Sequence, residues 1–373
     1  ISTVSPLVNL IAVPVVTIVL VPLCLMAVIC LVVKPDWALA LFSLADLIMD
    51  YGLSFLDFAL KLDAAYFTLP ALSAGVWLCV FLFVFCCCLP SFWLHKKYLC
   101  LLLLPPMSYL FTQKANTWQI DILDVGQGAA VLITKNNHVM IYDVGASYPS
   151  GFNMADSVLL PILQARGLSN VDLVFISHGD NDHAGSLPQL RQGIQVAEVL
   201  TNRDSCKQGL DMFWQGLKIE AFWPDNASNY SDNNGSCVIK ISDRYHSILL
   251  PGDIDKSIEK QLIVYYPEQL QADILLAPHH GSNTSSSSGF IQAVSAKFVV
   301  FSQGFMSRWR FPRPEVVNRY KGYNPQLFST SSAGQVSFTL QYDSPKSILV
   351  NTFRQDIYPY WYANSRQVNK ISH

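Results

Sequence analysis

The distribution of apolar and polar positions divides this chain into two unlike parts. No charged residue occurs from Val8 to Val33, a run longer than the roughly 20 residues a helix needs to cross a bilayer. Pro14 and Pro22 lie within it and each would free a backbone group, so this spanning helix is expected to pack beside partners or a water-filled path. A cleaved signal peptide is the competing reading. It is disfavoured because the chain has no starting Met and no basic leader, and because the run is too long. The chain is therefore expected to be a fragment whose earlier part is missing. Trp37 to Leu62 sets Asp46, Asp50 and Asp57 among Leu, Ile, Phe and Tyr at near-helical spacing, which predicts a helix lying at the membrane surface, lining a cavity or packed in a bundle. Leu72 to Leu94 is a second spanning candidate, and Tyr98 to Phe111 a short third one interrupted by Pro105-Pro106. His95-Lys96-Lys97 separates these two; held in the cytoplasm, it would place the following domain on the outer face.

Past Gln113-Lys114 acidic and basic residues become regular, so the expected division is a membrane segment over 1–113 and a polar globular domain over 114–373. Strand-like runs cover Trp118 to Leu123, Ala130 to Thr134 and His138 to Asp143, before a helix from Ser157 to Arg166 that ends at Gly167. Strands and helices then alternate. That order predicts a layered α/β sandwich, and about 260 residues from Thr117 onward suffice for one core. Asp225 to Ser236 and Ser282 to Ser288 read as loops.

Composition sharpens the split. With 51% hydrophobic and 14% charged residues, the chain is too apolar for an ordinary soluble enzyme, yet its second part is too polar for a protein embedded throughout. Seven of the nine cysteines lie in the apolar part, where cysteine behaves as a small hydrophobe. Cys206 and Cys237 are the two exceptions; on an oxidising face they would form a disulfide, and otherwise stay as two buried thiols.

The chemistry concentrates at three strand ends. Leu173 to Ile176 runs into Ser177-His178-Gly179-Asp180-Asn181-Asp182-His183, two imidazoles and two carboxylates within six residues. The bland alternative is a solvated Asn/Asp turn with incidental histidines. Ser247 to Leu250 leads to Pro251-Gly252-Asp253, and Asp273 to Ala277 to Pro278-His279-His280-Gly281-Ser282. His178, Asp180, Asp182, His183, Asp253 and one of His279 or His280 would suit two cations about 4 Å apart, with a water between them as nucleophile and Asp182 or Asp253 as the bridge. The absence of cysteine and the share of carboxylates favour Mn2+, with Zn2+ as second choice. Asp182, Asp253 and His280 are the expected catalytic residues, with whichever of His279 and His280 is not a ligand left to contact the substrate or protonate the leaving group.

These residues carry a resemblance. His178-x-Asp180-x-Asp182-His183, Gly252-Asp253 and His279-His280-Gly281 look like the metallo-beta-lactamase fold, an αββα sandwich, in its H-x-D-x-D-H form. Leu123-Asp124-Val125-Gly126-Gln127-Gly128, Tyr142-Asp143-Val144-Gly145 and Asn233-Asn234-Gly235-Ser236 resemble the C-terminal domain of the DNA-uptake competence proteins of the ComEC family, and Ser5 to Pro14 is similar to the end of that family's channel domain. The resemblance implies a multi-pass protein of the bacterial inner (cell) membrane, with the hydrolase domain on the periplasmic or extracellular face. It also implies other DNA-uptake proteins as partners, and a nuclease that degrades the strand not transported. Two departures stand out. Phe311 replaces the histidine of an Asn-x-x-x-His-Pro element, and the third-motif histidine of the wider fold has only His246 as a candidate, so Asn234 and Ser236 are expected in that place.

A formal net charge of -2 gives no general pull on a polyanion, so DNA would need a local patch. Arg308, Trp309, Arg310 and Arg313 form the candidate, with cations for phosphates and an aromatic ring for unpaired bases. A solvated basic loop is the plainer reading of the same residues. Two other functions stay open: a transport component whose metal site is vestigial and which only binds DNA or partners, and a hydrolase of a small ester, lactam or phosphodiester.

Overall fold

The computed structural model describes residues 5–60, 74–88, 100–104, 117–225, 233–346 and 348–357. It divides the chain into two compact units, Ile1–Leu72 and Ser73–His373. The expected boundary at Gln113-Lys114, the His95-Lys96-Lys97 cluster and most of Tyr98 to Phe111 lie outside the described residues.

In the first unit, helix Ser5–Pro14, a π-helical stretch Val15–Leu20 and helix Val21–Val33 follow without a break. The irregular stretch falls between Pro14 and Pro22, where a ladder missing N–H donors must re-pair. Thr17 Oγ1 donates to the Val13 carbonyl at 2.8 Å there. Lys34 is extended (φ −151°), which stops the helix, and Pro35 opens the next one, Pro35–Leu60. Val8–Val33 and Pro35–Ala59 have mean hydropathies of 3.1 and 1.6, and both are long and apolar enough to cross a membrane. The segment expected as an interfacial helix thus also has spanning length, with Asp46, Asp50 and Asp57 exposed along it. Leu10, Ile18, Val32, Val33 and Leu39 are also largely exposed, as lipid-facing side chains would be.

The second unit begins with helix Ala74–Cys88, the described part of the second spanning candidate. Its remainder is a sandwich of two seven-stranded sheets. One sheet has the order β14-β13-β1-β2-β3-β4-β5, with β1 Thr117–Ile122, β2 Val131–Lys135, β3 His138–Tyr142, β4 Asn170–Ile176, β5 Gln195–Thr201, β13 Val336–Gln341 and β14 Leu349–Thr352. The other has the order β12-β11-β10-β9-β8-β7-β6, with β6 Asp211–Trp214, β7 Leu217–Trp223, β8 Val238–Ser242, β9 Ser247–Leu250, β10 Ile274–Leu276, β11 Phe298–Phe301 and β12 Gln326–Ser329.

Alternation along each strand explains the layers. Ile120, Ile122, Val131, Ile133, Met140 and Phe175 turn inward to meet Ile219, Ile239, Ile241, Ile248, Leu250 and Leu276 of the opposite sheet. Leu132, Ile141 and Val174, on the other face of the first sheet, pack with Leu159, Leu163 and Leu190 of its covering helices. Leu249, Leu275 and Val299 do the same with Ile258, Leu262, Phe290 and Val317. Helix, sheet, sheet, helix is the expected αββα order. The helix expected over Ser157 to Arg166 is present as a π-helical turn Ala155–Leu159 running into Leu160–Ala165.

Strand direction then sets where chemistry can occur. β3, β4 and β5 pair in parallel, as do β9, β10, β11 and β12, so several strands end at one edge of the sandwich. In open α/β sheets that carboxyl edge is where ligands bind.

Candidate metal centre

Five strand ends build the centre. β3 delivers Asp143, β4 delivers Ser177 to His183, β9 delivers Asp253, β10 delivers His279 and His280, and β11 delivers Ser302. Left-handed backbone marks the turns: Asp143 (φ 57°), His279 (φ 49°) and His280 (φ 54°) adopt a conformation that costs energy and clusters at functional sites. Gly128 has a plain steric reason, because a β-carbon there would stand 2.1 Å from the Asp182 carbonyl oxygen.

Four of the expected ligands converge tightly. His183 Nε2 lies 3.2 Å from Asp253 Oδ1 and 3.2 Å from His280 Nε2. His280 Nε2 lies 3.4 Å from Asp253 Oδ2 and 3.6 Å from Asp182 Oδ2. His178, His183 and Asp253 form one set whose ligand atoms lie within 4.8 Å of one another; Asp182, His183 and His280 form a second. Asp253 turns its two oxygens to different histidines. Asp180 is exposed and 3.5 Å from His178 Nε2, while His279 is only part-buried and 3.8 Å from Asp253 Oδ2.

The hydrogen bonds behind the rings assign their protons. His280 Nδ1 is 2.8 Å from the Ser302 carbonyl, which can only accept, so Nδ1 carries the hydrogen. His183 Nδ1 faces the Asp143 carboxylate at 2.7 Å, with the same result. The Ser177 hydroxyl donates to Asp143 at 2.8 Å and can therefore only accept from His178 Nδ1, 3.0 Å away. In their neutral form all three rings aim an Nε2 lone pair into one space already lined by carboxylate oxygens. His178 Nε2 is buried with no hydrogen-bond partner among the described residues. Lone pairs facing each other at 3.2 Å repel unless positive charge stands between them, which is the requirement of a cation site.

The titration directions express the same demand. Burial opposes charge on His280, but the Asp253 and Asp182 carboxylates outweigh it and push the ring up to about 9. Burial likewise opposes charge on His183 and is outweighed by Asp253 and Asp143, which hold it well above the usual histidine range. Burial disfavours the Asp253 carboxylate too, yet His280 and His183 keep it well below the ordinary range. His178 moves down, because burial and the neighbouring His183 both disfavour its charged form. A nitrogen and oxygen donor set without sulfur, with an orphaned buried imidazole nitrogen, fits divalent metal ions.

Residues outside the ligand runs hold the centre in place. Asp143 also accepts the Ser177 backbone N–H at 2.7 Å; the sequence marked it within Tyr142-Asp143-Val144-Gly145 without assigning it a role at the centre. Ser236 fills the expected third-motif place: its Oγ is 3.4 Å from His178 Nδ1 and accepts the Asp253 N–H at 3.0 Å. Asn234 instead pairs with Asp255, and His246 lies apart, 2.9 Å from the Lys346 carbonyl. Cys206 and Cys237 are joined in a disulfide with a Cα–Cα distance of 5.8 Å.

The expected DNA-binding residues form a ridge that reaches the centre. The Arg308 guanidinium lies 4.0 Å over the Trp309 ring, and Trp309 stacks on Phe311 with centroids 6.4 Å apart. Phe311 meets His279 edge-on at 5.9 Å, so the residue in the place of the family's histidine touches the mouth without offering a ligand. Arg313 lies 6.0 Å from the Phe311 ring and its N–H donates to the Gly281 carbonyl at 2.9 Å. Arg308, Trp309 and Arg310 are exposed.

A two-sheet sandwich with this constellation at one edge is a metallo-beta-lactamase domain, and residues 123–301 match the model described as metallo-beta-lactamase superfamily. Residues 1–96 match the model described as competence protein. With both parts in this order, the chain belongs to the ComEC family of competence proteins. It is 35% identical over 254 residues to the uncharacterized protein YcaI of Escherichia coli, covering 67% of this chain and 33% of that one. It is 36% identical over 237 residues to recombination protein 2 of Haemophilus influenzae, covering 61% and 29%. It is 30% identical over 230 residues to competence protein ComA of Neisseria gonorrhoeae, covering 60% and 33%. The chain thus spans about a third of the length of the curated relatives it matches.

Proposed function

We propose that this chain takes part in DNA internalisation at the bacterial cell membrane, and that its metallo-beta-lactamase domain is a metal-dependent nuclease that hydrolyses phosphodiester bonds of the incoming DNA, in the strand not transported. The observation that carries the hydrolytic part is the set of three imidazole lone pairs, one of them orphaned, converging with Asp182 and Asp253 in a buried space. His178, His183 and Asp253 would hold one divalent ion and Asp182, His280 and Asp253 a second, Mn2+ before Zn2+, with Asp180 at the entrance. Such ions supply an activated water and charge neutralisation at the phosphoryl oxygens.

The chain's own residues do the rest. Asp143 and the Ser302 carbonyl fix His183 and His280 as Nδ1–H tautomers. His279 stays largely neutral at the mouth, because burial lowers its pKa, and from there its ring can contact a phosphate. The ridge beside it supplies guanidinium groups for the backbone and the Trp309 face for a base, which favours an unpaired strand over a small ester. Multi-pass insertion, and an outer face for residues 114–373, complete this reading; the disulfide supports the second.

The test uses the full chain in detergent micelles with labelled single-stranded DNA and Mn2+, Zn2+ or chelator. Wild type is expected to cut with Mn2+, and Asp182→Ala and Asp253→Ala are expected not to. Retained binding without cutting would favour a vestigial centre in a transport component. Turnover of a small phosphodiester alone would move the activity to another substrate class.

A further inference from the structure

A second cation, apart from the ridge, stands beside the metal-binding turn. Arg203 lies on the turn after β5, is exposed, and makes no ion pair among the described residues. A β-carbon on Gly179 would stand 3.8 Å from Arg203 Nη2, so the guanidinium hangs beside the backbone between His178 and Asp180. The ridge approaches by way of His279; Arg203 approaches by way of His178.

The turn that carries Arg203 is fastened more firmly than a surface turn requires for its own sake. The Thr201 carbonyl accepts the N–H groups of Asp204, Ser205 and Cys206 at 3.2, 3.1 and 2.8 Å. Buried Asn202 donates to the Gly235 carbonyl at 2.8 Å, and Cys206 is bonded to Cys237. Cys237 in turn donates its N–H to the Ser177 carbonyl at 2.7 Å, directly before His178. The segment Gly235 to Cys237 is thus a common anchor for the Arg203 turn and the metal-binding turn. A guanidinium on a fixed base gives up less freedom when it grips a phosphate.

We propose that Arg203 is a phosphate-binding residue, engaging the backbone of a single-stranded nucleic acid beside the turn between His178 and Asp180, apart from Arg308 and Arg313. This rests on the nuclease reading above. A strand would then be gripped both at the ridge and at Arg203.

The experiment measures binding apart from cleavage: anisotropy of a labelled oligothymidine with the full chain in detergent micelles, in chelator, over a series of salt concentrations. Each phosphate contact on a single strand contributes about 0.7 to the slope of log affinity against log salt. Arg203→Ala is expected to lower the slope by about that amount and to weaken binding roughly fivefold to tenfold at low salt. Arg203→Lys, which keeps the charge, is expected to restore the slope. An alanine variant with the wild-type slope, or a lysine variant that behaves like alanine, would overturn the assignment. A wild type that binds no oligothymidine removes the nucleic-acid reading itself and this inference with it, a result distinct from failure of the variants alone.

Discussion

Asp143→Asn isolates the contribution of a residue that touches no substrate. Its Oδ1 accepts the Ser177 N–H at 2.7 Å, and its Oδ2 accepts both the Ser177 hydroxyl at 2.8 Å and His183 Nδ1 at 2.7 Å. An amide has the same shape but one acceptor fewer. If its oxygen stays on the Ser177 N–H, its NH2 group faces His183 Nδ1, and the imidazole relaxes by moving its proton to Nε2. That proton then points at Asp253 Oδ1 and His280 Nε2, both 3.2 Å away, and occupies the lone pair that both ligand sets share. Loss of such a supporting carboxylate costs about 10- to 100-fold in metal affinity. At roughly 1.4 kcal/mol per decade this is about 1.4 to 2.8 kcal/mol. Competition of Mn2+ between the protein and a chromophoric chelator measures it directly, with unfolding in excess chelator as the control for folding. A variant as stable as wild type without metal, and binding Mn2+ within a factor of about two, would show that the tautomer of His183 is not set by Asp143.

Three further outcomes concern stability. Replacing both Cys206 and Cys237 by serine releases a link with a sequence separation of 31, which chain entropy values at about 3.7 kcal/mol; urea unfolding that shifts by less than about 1 kcal/mol would contradict this. Glu259 is buried and accepts the N–H groups of Ser286 and Ser287, so Glu259→Ala strands two donors and is expected to cost about 2 to 6 kcal/mol. Burial raises the Glu259 pKa in the fold, so the folded state holds its proton to higher pH than the unfolded chain does. The stability of wild type relative to Glu259→Gln should therefore fall as pH rises through the window above the ordinary glutamate value. Denaturant titrations at several pH values check the sign; a relative stability of wild type that rises with pH would refute it.

Much of the candidate centre was legible in the chain because its ligands come in short runs. His178, Asp180, Asp182 and His183 sit within one turn after a buried strand, and a local spacing of that kind survives any fold. The uncharged length of Val8 to Val33 and the apolar runs of β1 to β4 were equally local, since each reflects what one element must bury along its own length. Other features had no such mark. Asp143 precedes His183 by forty positions, and the Ser302 carbonyl follows His280 by twenty-two; both become partners only because long-range pairing brings the ends of β3, β4, β10 and β11 to one edge. The sharing of His183 between two ligand sets, the choice of His280 over His279 for the buried position, and the anchoring of Arg203 beside Gly179 belong to the same class. Composition and periodicity report what each segment must bury or expose. Which lone pairs end up facing one another is decided by sheet order, and sheet order depends on contacts between residues far apart in the chain.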